Sequence, residues 1–265
     1  MLNIKWQGWW NKMTSAELIT VSIDIGQRLL ESGAEIYRVE ESIFRICCSY
    51  GAQDINVYAV PTAIIASMAR DGESPITRVS RIYHRSINLG RLDQLNALCR
   101  DICDFKMDYA EIRERMHLIE QHTAYQNWQT CLATGGVGCF FTLLFGGDIA
   151  EACCAFTSCM ILWSLTTAAE RIQANILFIN IVGGFWAAFA GLVCHSLGWI
   201  VQYDTMIVGS IMFLVPGLPI TNAIRDLIAG DFVAGITKFT EALLVGAGIA
   251  VGAALPLSIA GFWGR

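Results

Sequence analysis

Charge is scarce in the second half of this chain. After Asn127 the only basic residues are Arg171, Arg225, Lys238 and Arg265, against 14 Lys and Arg before it. Of the 23 Asp and Glu, 16 also lie in that first part. So little charge cannot cover a soluble fold, and the stretch reads as membrane-embedded. An excess of basic residues is missing too: the net charge of −5 argues against nucleic-acid binding. The ten cysteines contain no CxxC pair, Cys99 and Cys103 being one helical turn apart, and His84, His117, His122 and His195 form no ligand pattern with them. Cys131, Cys139, Cys153, Cys154, Cys159 and Cys194 sit in apolar runs, where a free thiol acts as a small hydrophobe. A metal site and a disulfide framework are both disfavoured. No secretory signal is visible, since Met1 to Asn11 is too short and too polar for an apolar signal core. Its Trp6, Trp9 and Trp10 touch a membrane interface or, more plainly, pack on the soluble domain.

What is present is an apolar content of 54% and a mean hydropathy of +0.48, distributed as a soluble part at 1–126 and a membrane part at 127–265. In the soluble part, Thr14 or Ser15 can cap a helix whose Leu18, Val21, Ile25, Leu29 and Leu30 form one face, ending at Ser32-Gly33. A second helix, Ala34 to Tyr50, ends at Gly51. Strand-like runs follow at Asp54 to Val60, Ala63 to Met68 and Thr77 to Tyr83, then helical spacing at Asn88 to Asp104 and Tyr109 to Gln121. This order makes a small α+β domain with no Gly-rich phosphate loop and no nucleophile motif. Glu31, Glu35, Glu40 and Glu41 read as an acid/base cluster or as a solvated helix face. The pairs Glu35–Arg38 and Glu41–Arg45 favour the solvated face.

Four runs are long enough to span a membrane: Trp128 to Phe145, Ile149 to Ala168, Ile176 to Leu197 and Leu243 to Phe262. A fifth, Met206 to Val215, is short and begins nearer Tyr203. The fold class is therefore membrane α-helical, with five transmembrane spans, the fourth discontinuous, behind a small cytoplasmic α+β domain. The loops at 146–148 and 197–204 carry no Lys or Arg, whereas Arg171 and Arg225 to Lys238 lie on the opposite side, giving a cytoplasmic N-terminus and an outside C-terminus. Gly183, Ala187 and Gly191 on the third span, and Gly248 and Gly252 on the fifth, let helices approach closely.

The stretch GSIMFLVPGLPITNAIRDLIAGD, Gly209 to Asp231, organises the membrane part. Its apolar run breaks at Pro216-Gly217 and again at Pro219, followed by Thr221, Asn222, Arg225 and Asp226 and then Gly230-Asp231. It reads either as a membrane-exit turn before a short surface helix or as a broken helix of the kind that builds a transporter's substrate site. Other polar groups at membrane depth are Asn180 in the third span, and Lys238 and Glu241 at the start of the fifth, where a mutual salt bridge or snorkelling is the plainer reading. Asp148 caps the second span with Glu151 on its first turn. The cluster behind the break favours function, and a cationic Arg225 beside helix N-termini suits a carboxylate-bearing substrate.

Two passages carry a family resemblance. Leu29 to Arg45, LLESGAEIYRVEESIFR, is similar to the signature that opens the cytoplasmic domain of the threonine/serine exporter family. Leu214 to Gly235, LVPGLPITNAIRDLIAGDFVAG, resembles that family's Pro-Gly-x-Pro and Asn-x-x-Arg-Asp-x-x-x-Gly-Asp pattern. The resemblance implies secondary transport in the cell inner membrane, with export of threonine and serine driven by the proton gradient and no cofactor. Fused members carry about ten spans. A five-span chain resembles the large subunit of the split branch, whose partner is a small membrane subunit and some of whose pairs export succinate and related dicarboxylates. Homo-oligomer formation stays open. The signature covers Glu31, Ser32, Gly33, Glu35, Tyr37, Arg38 and Glu40. Gly33 would serve the helix break, while Glu35, Arg38 and Glu40 would line a gate or dock on the membrane domain. The substrate or gating set is then Thr221, Asn222, Arg225, Asp226, Asp231 and Asn180, with the break at Pro216, Gly217 and Pro219.

The competing readings are a membrane-anchored scaffold or regulatory subunit and a membrane-anchored enzyme. Against the enzyme stands the lack of a nucleophile–base or metal constellation before Asn127. Against the scaffold stands the broken fourth span, which a simple anchor would not need.

Overall fold

The computed structural model describes residues 13–121 and 125–263. Trp6, Trp9, Trp10, His122 and Arg265 lie outside the described residues. The chain is mostly helical and divides into two compact units, one of 1–124 with 221–238, the other of 125–220 with 239–265.

In the first unit, α1 (Ser15–Glu31) starts at a capping box in which Thr14 accepts from the Glu17 backbone N–H and Glu17 accepts from that of Thr14. It stops at Ser32, and Gly33 takes φ +96°, a left-handed conformation that a side chain would strain. α2 (Ile36–Ser49) follows and buries Ile36, Val39, Ile43, Ile46 and Cys47. Strands β1 (Gln53–Val60), β2 (Ala63–Ala69) and β3 (Ile76–Arg81) form an antiparallel sheet in sequential order. Its inner face supplies Ala59, Ile64, Ala66 and Met68 to a core shared with α1, α2, α3 (Leu89–Phe105) and α4 (Tyr109–Gln121). The small α+β domain expected from the sequence is present, its helix and strand limits lying within two residues of the expected ones.

The second unit holds α5 (Asn127–Leu144), α6 (Ile149–Arg171), α7 (Ile176–Ser196), α8 (Tyr203–Ile211), the start of α9 (Gly217–Ala229) and most of α10 (Phe232–Trp263). Among the described residues, three helices are long and apolar enough to cross a membrane: Ile149–Arg171, Ile176–Ser196 and Phe232–Gly261. α5, 18 residues long, carries Asn127, Gln129, Thr130, Thr134 and Thr142 and is not among them. At nine residues α8 would be only about 14 Å long, too short to cross alone. The expected break separates α8 from α9, but it is single. Pro219 sits in the first turn of α9, where its missing N–H costs no helical bond. The last helix also differs from expectation. It begins at Phe232 rather than Leu243, so Lys238 and Glu241 lie inside it.

Helix packing in this unit is set by small residues. An added Cβ at Gly183 would meet Leu214 and Leu162, and one at Gly191 would meet Ile207, so the 183/187/191 face receives α8 and α6. The Gly248/Gly252 face also packs closely as expected, Gly252 abutting the Ile181 carbonyl, whereas Gly184, which abuts the Ile249 carbonyl, was not foreseen. Backbones meet there with no side chain between them. Asp148 caps α6 as expected, but Glu151 does more than sit on its first turn. Buried to 3% exposure, it accepts from the Gln202 N–H at 3.0 Å and the Thr205 hydroxyl at 2.6 Å, tying the start of α8 to α6.

The packing predicts a sharp contrast among glycines. Gly252→Val should destabilise the protein by about 1–3 kcal/mol through overpacking. Gly246→Ala, where nothing lies within 4 Å, should be neutral or slightly stabilising. Thermal unfolding of the detergent-solubilised chain checks both.

Candidate functional site

Helix α2 begins with an unusual arrangement. Glu35 stands at its N-cap position yet makes no side-chain capping bond. The free N–H of Ile36 is instead taken by Asp226 Oδ1 at 3.2 Å, a carboxylate 190 residues away on α9. A negative charge there suits both the unpaired donor and the helix dipole. The other Asp226 oxygen accepts from Lys238 Nζ at 2.7 Å, with the Asp226 side chain fully buried and that of Lys238 at 11% exposure. A buried charge needs this kind of complete partnering.

The neighbouring residues extend the seam. Asn222 Nδ2 donates to the Gly33 carbonyl at 3.2 Å, and Arg225 Nη1 donates to Glu35 Oε1 at 2.7 Å. Glu35 is buried but Arg225 is 58% exposed, so the guanidinium keeps a face free of protein cover. Arg38 approaches the second Glu35 oxygen at 3.7 Å. The chain turns back after α9 because Gly230 adopts φ +95°, and the Asp231 N–H then donates to the Asp226 carbonyl at 2.9 Å. All of these groups belong to the first unit.

Three carboxyls here are perturbed. Burial is the largest influence on Glu35 and raises it, but its own backbone N–H, Arg225 and Arg38 together hold it below the usual range. Burial pushes Glu40 up, opposed by the Ala59 N–H that its carboxylate accepts at 2.7 Å and reinforced by the charge of Asp231. Asp231 is raised by burial and then by Asp226, with Lys238 opposing.

The structure thus joins Gly33 and Glu35 of the first passage to Asn222, Arg225 and Asp226 of the second. Other expected residues fall elsewhere. Glu31 and Ser32 accept the N–H groups of Ser86 and Asn88 through their backbone carbonyls. Tyr37 is exposed, and Thr221 lies on an exposed position of α9. In the second unit, Asn180 is buried on α7 and donates to the Ile176 carbonyl of its own helix. Lys238 is the residue whose role was misread: it pairs with the buried Asp226. A lone lysine in an apolar run requires a partner, and the acid 12 residues earlier was available to be considered.

Residues 20–260 match the family described as "Putative threonine/serine exporter". The chain belongs to this family. It is 26% identical over 251 residues to "Probable succinate transporter subunit YjjP" of Escherichia coli (strain K12), covering 91% of this chain and 94% of that protein. It is 23% identical over 245 residues to "Probable threonine/serine exporter" of Mycobacterium tuberculosis, covering 91% of this chain and 46% of that protein. Over 252 residues it is 22% identical to "Threonine/serine exporter" of Corynebacterium glutamicum, covering 92% and 51%. The chain therefore spans about half the length of these two exporters and nearly all of the YjjP subunit. No solved structure matches it.

In this exporter-family chain, Asp226→Asn should cost about 3–5 kcal/mol, because Lys238 would be left buried and unpaired. The double change Asp226→Asn with Lys238→Met should recover part of that loss, measured by thermal unfolding. The carboxyls also predict opposite pH trends. Glu35 contributes stability above its unfolded pKa and loses it as pH falls through its lowered folded value. Glu40 and Asp231 cost stability above their raised values, and the cost lifts as pH falls through them. Glu40→Gln should therefore melt higher than the parent at neutral pH and converge with it in acid.

Proposed function

We propose that this chain is the large subunit of a two-subunit secondary transporter. It would export small carboxylate-bearing metabolites, either threonine and serine or a C4-dicarboxylate such as succinate, across the cell inner membrane. The family match over residues 20–260 carries this reading, and the relative named a transporter subunit supports the split form. A small membrane subunit of the same family would supply the spans that complete the pathway, and the proton gradient would drive export.

In this reading α5 and the α8–α9 pair join the three longer apolar helices to give five spans, with 1–126 cytoplasmic and 127–265 the membrane domain. The N-terminus is cytoplasmic and the C-terminus outside. Two observations support that orientation. The loops at 146–148 and 197–204 lack Lys and Arg. The elbow 221–238 bonds to the start of α2 and so shares the aqueous side of the α+β domain.

The elbow is where we place gating. Asp226 and Lys238 fasten it, while Arg225 acts as the movable partner. Its pairing with Glu35 is half open to solvent and runs through one nitrogen, so a substrate carboxylate could offer Arg225 the bidentate geometry that Glu35 does not. Thr221, Asn222 and Asp231 flank it on the elbow, and Asn180 supplies a polar group along the membrane path. Pro216 and Gly217 mark the break after which α9 starts, with Pro219 in its first turn.

Preloaded vesicles test the reading by efflux of labelled threonine and labelled succinate with this chain alone, with its small subunit, and with neither. Flux is expected only with both, and Arg225→Gln should lose at least about tenfold in flux while still assembling. Flux that survives Arg225→Gln would remove Arg225 from the gate. No flux of either label with both proteins inserted would favour the scaffold reading.

A further inference from the structure

A cleft of about 370 Å³ opens between α2 and α3 on the first unit, away from the elbow residues. Three arginines line it from two helices, Arg38 and Arg45 on α2 and Arg100 on α3. Two acids also line it, Glu41 and Asp104, and the buried Cys99 contributes to its lining. Glu41 is already engaged by Arg45 at 2.6 Å. Arg100 makes no hydrogen bond or ion pair among the described residues. The lining therefore carries an excess of positive charge, with one guanidinium committed to no protein group. Arginines from two helices around one concave volume suit the oxygens of a small multiply charged anion.

We propose that this cleft is a binding site for a small dianion, a dicarboxylate or a phosphate, that senses the metabolite load on the side of the α+β domain. Arg38 links it to the elbow. That residue sits on the cleft wall and reaches Glu35 at 3.7 Å, while the other Glu35 oxygen holds Arg225 at 2.7 Å. A dianion in the cleft competes with Glu35 for Arg38. Glu35 then pairs with Arg225 alone, and occupancy changes how tightly the elbow is held. The regulatory consequence rests on Arg225 acting as the gate; the binding site does not.

Equilibrium dialysis of the full chain in lipid nanodiscs against labelled succinate, and separately against labelled inorganic phosphate, tests the site. Saturable binding of at least one probe is expected, and which one binds identifies the dianion source. Arg100→Gln, an exposed change outside the elbow, should weaken it about tenfold or more. Arg225→Gln should leave it unchanged, separating cleft binding from substrate capture at the elbow. Absence of saturable binding for both probes, or binding that Arg100→Gln leaves intact while Arg225→Gln abolishes it, overturns the proposal. Vesicle efflux with and without dianion on the domain side then reads the regulatory consequence. The Arg100→Gln chain should transport normally but lose its response to the dianion.

Discussion

The buried carboxylate of Asp226 fastens α9 and the start of α10 to the start of α2. Its two oxygens meet two separate needs, the open N–H at the start of α2 and the buried ammonium of Lys238. Neither need can be met by water, because the side chain is wholly covered. Once this carboxylate is placed, its neighbours follow by helical geometry. Asn222 falls one turn earlier, against the Gly33 carbonyl, and Arg225 one residue earlier, against Glu35. The elbow is an integral piece of the α+β unit, not a loop that happens to lie near it.

Adjacent residues on α9 therefore have different physical characters. Asp226 is enclosed and doubly bonded, so its contribution is to the fold. Arg225 is half in solvent and bonded through one nitrogen to a carboxylate that Arg38 also approaches. With one partner in solvent, such a pair exchanges more readily than a fully buried one. The sequence order Arg225-Asp226 thus places an exchangeable contact next to a fixed one.

Much of the local structure was legible because local rules decide it. Thr14 with Glu17, Gly33, Gly51 and the Gly230-Asp231 turn mark helix limits by capping chemistry and left-handed glycines, and the strands follow from their turns. Long-range choices were less visible. The sequence pairs Glu35 with Arg38 at helical spacing, and that contact exists, but the stronger partner is Arg225 from α9. Lys238 looked like a surface-seeking lysine because α10 seemed to start later than it does. With the helix beginning at Phe232, that lysine is carried inward to Asp226. Glu151 could be recognised as a capping acid, whereas its hold on Gln202 and Thr205 depends on tertiary packing that no spacing encodes.

The separation of 190 residues between Ile36 and Asp226 also orders events during synthesis. The α+β segment leaves the ribosome with the first turn of α2 uncapped and with Glu35 lacking its α9 partner. Neither can be completed until α5 through α9 have been made, and the burial of Asp226 with Lys238 waits on the first turns of α10. The last native bonds of the domain made first thus wait on the segments made late. A chain whose later helices fail to thread would display an unfinished α2, a defect that the cell's proteases can read.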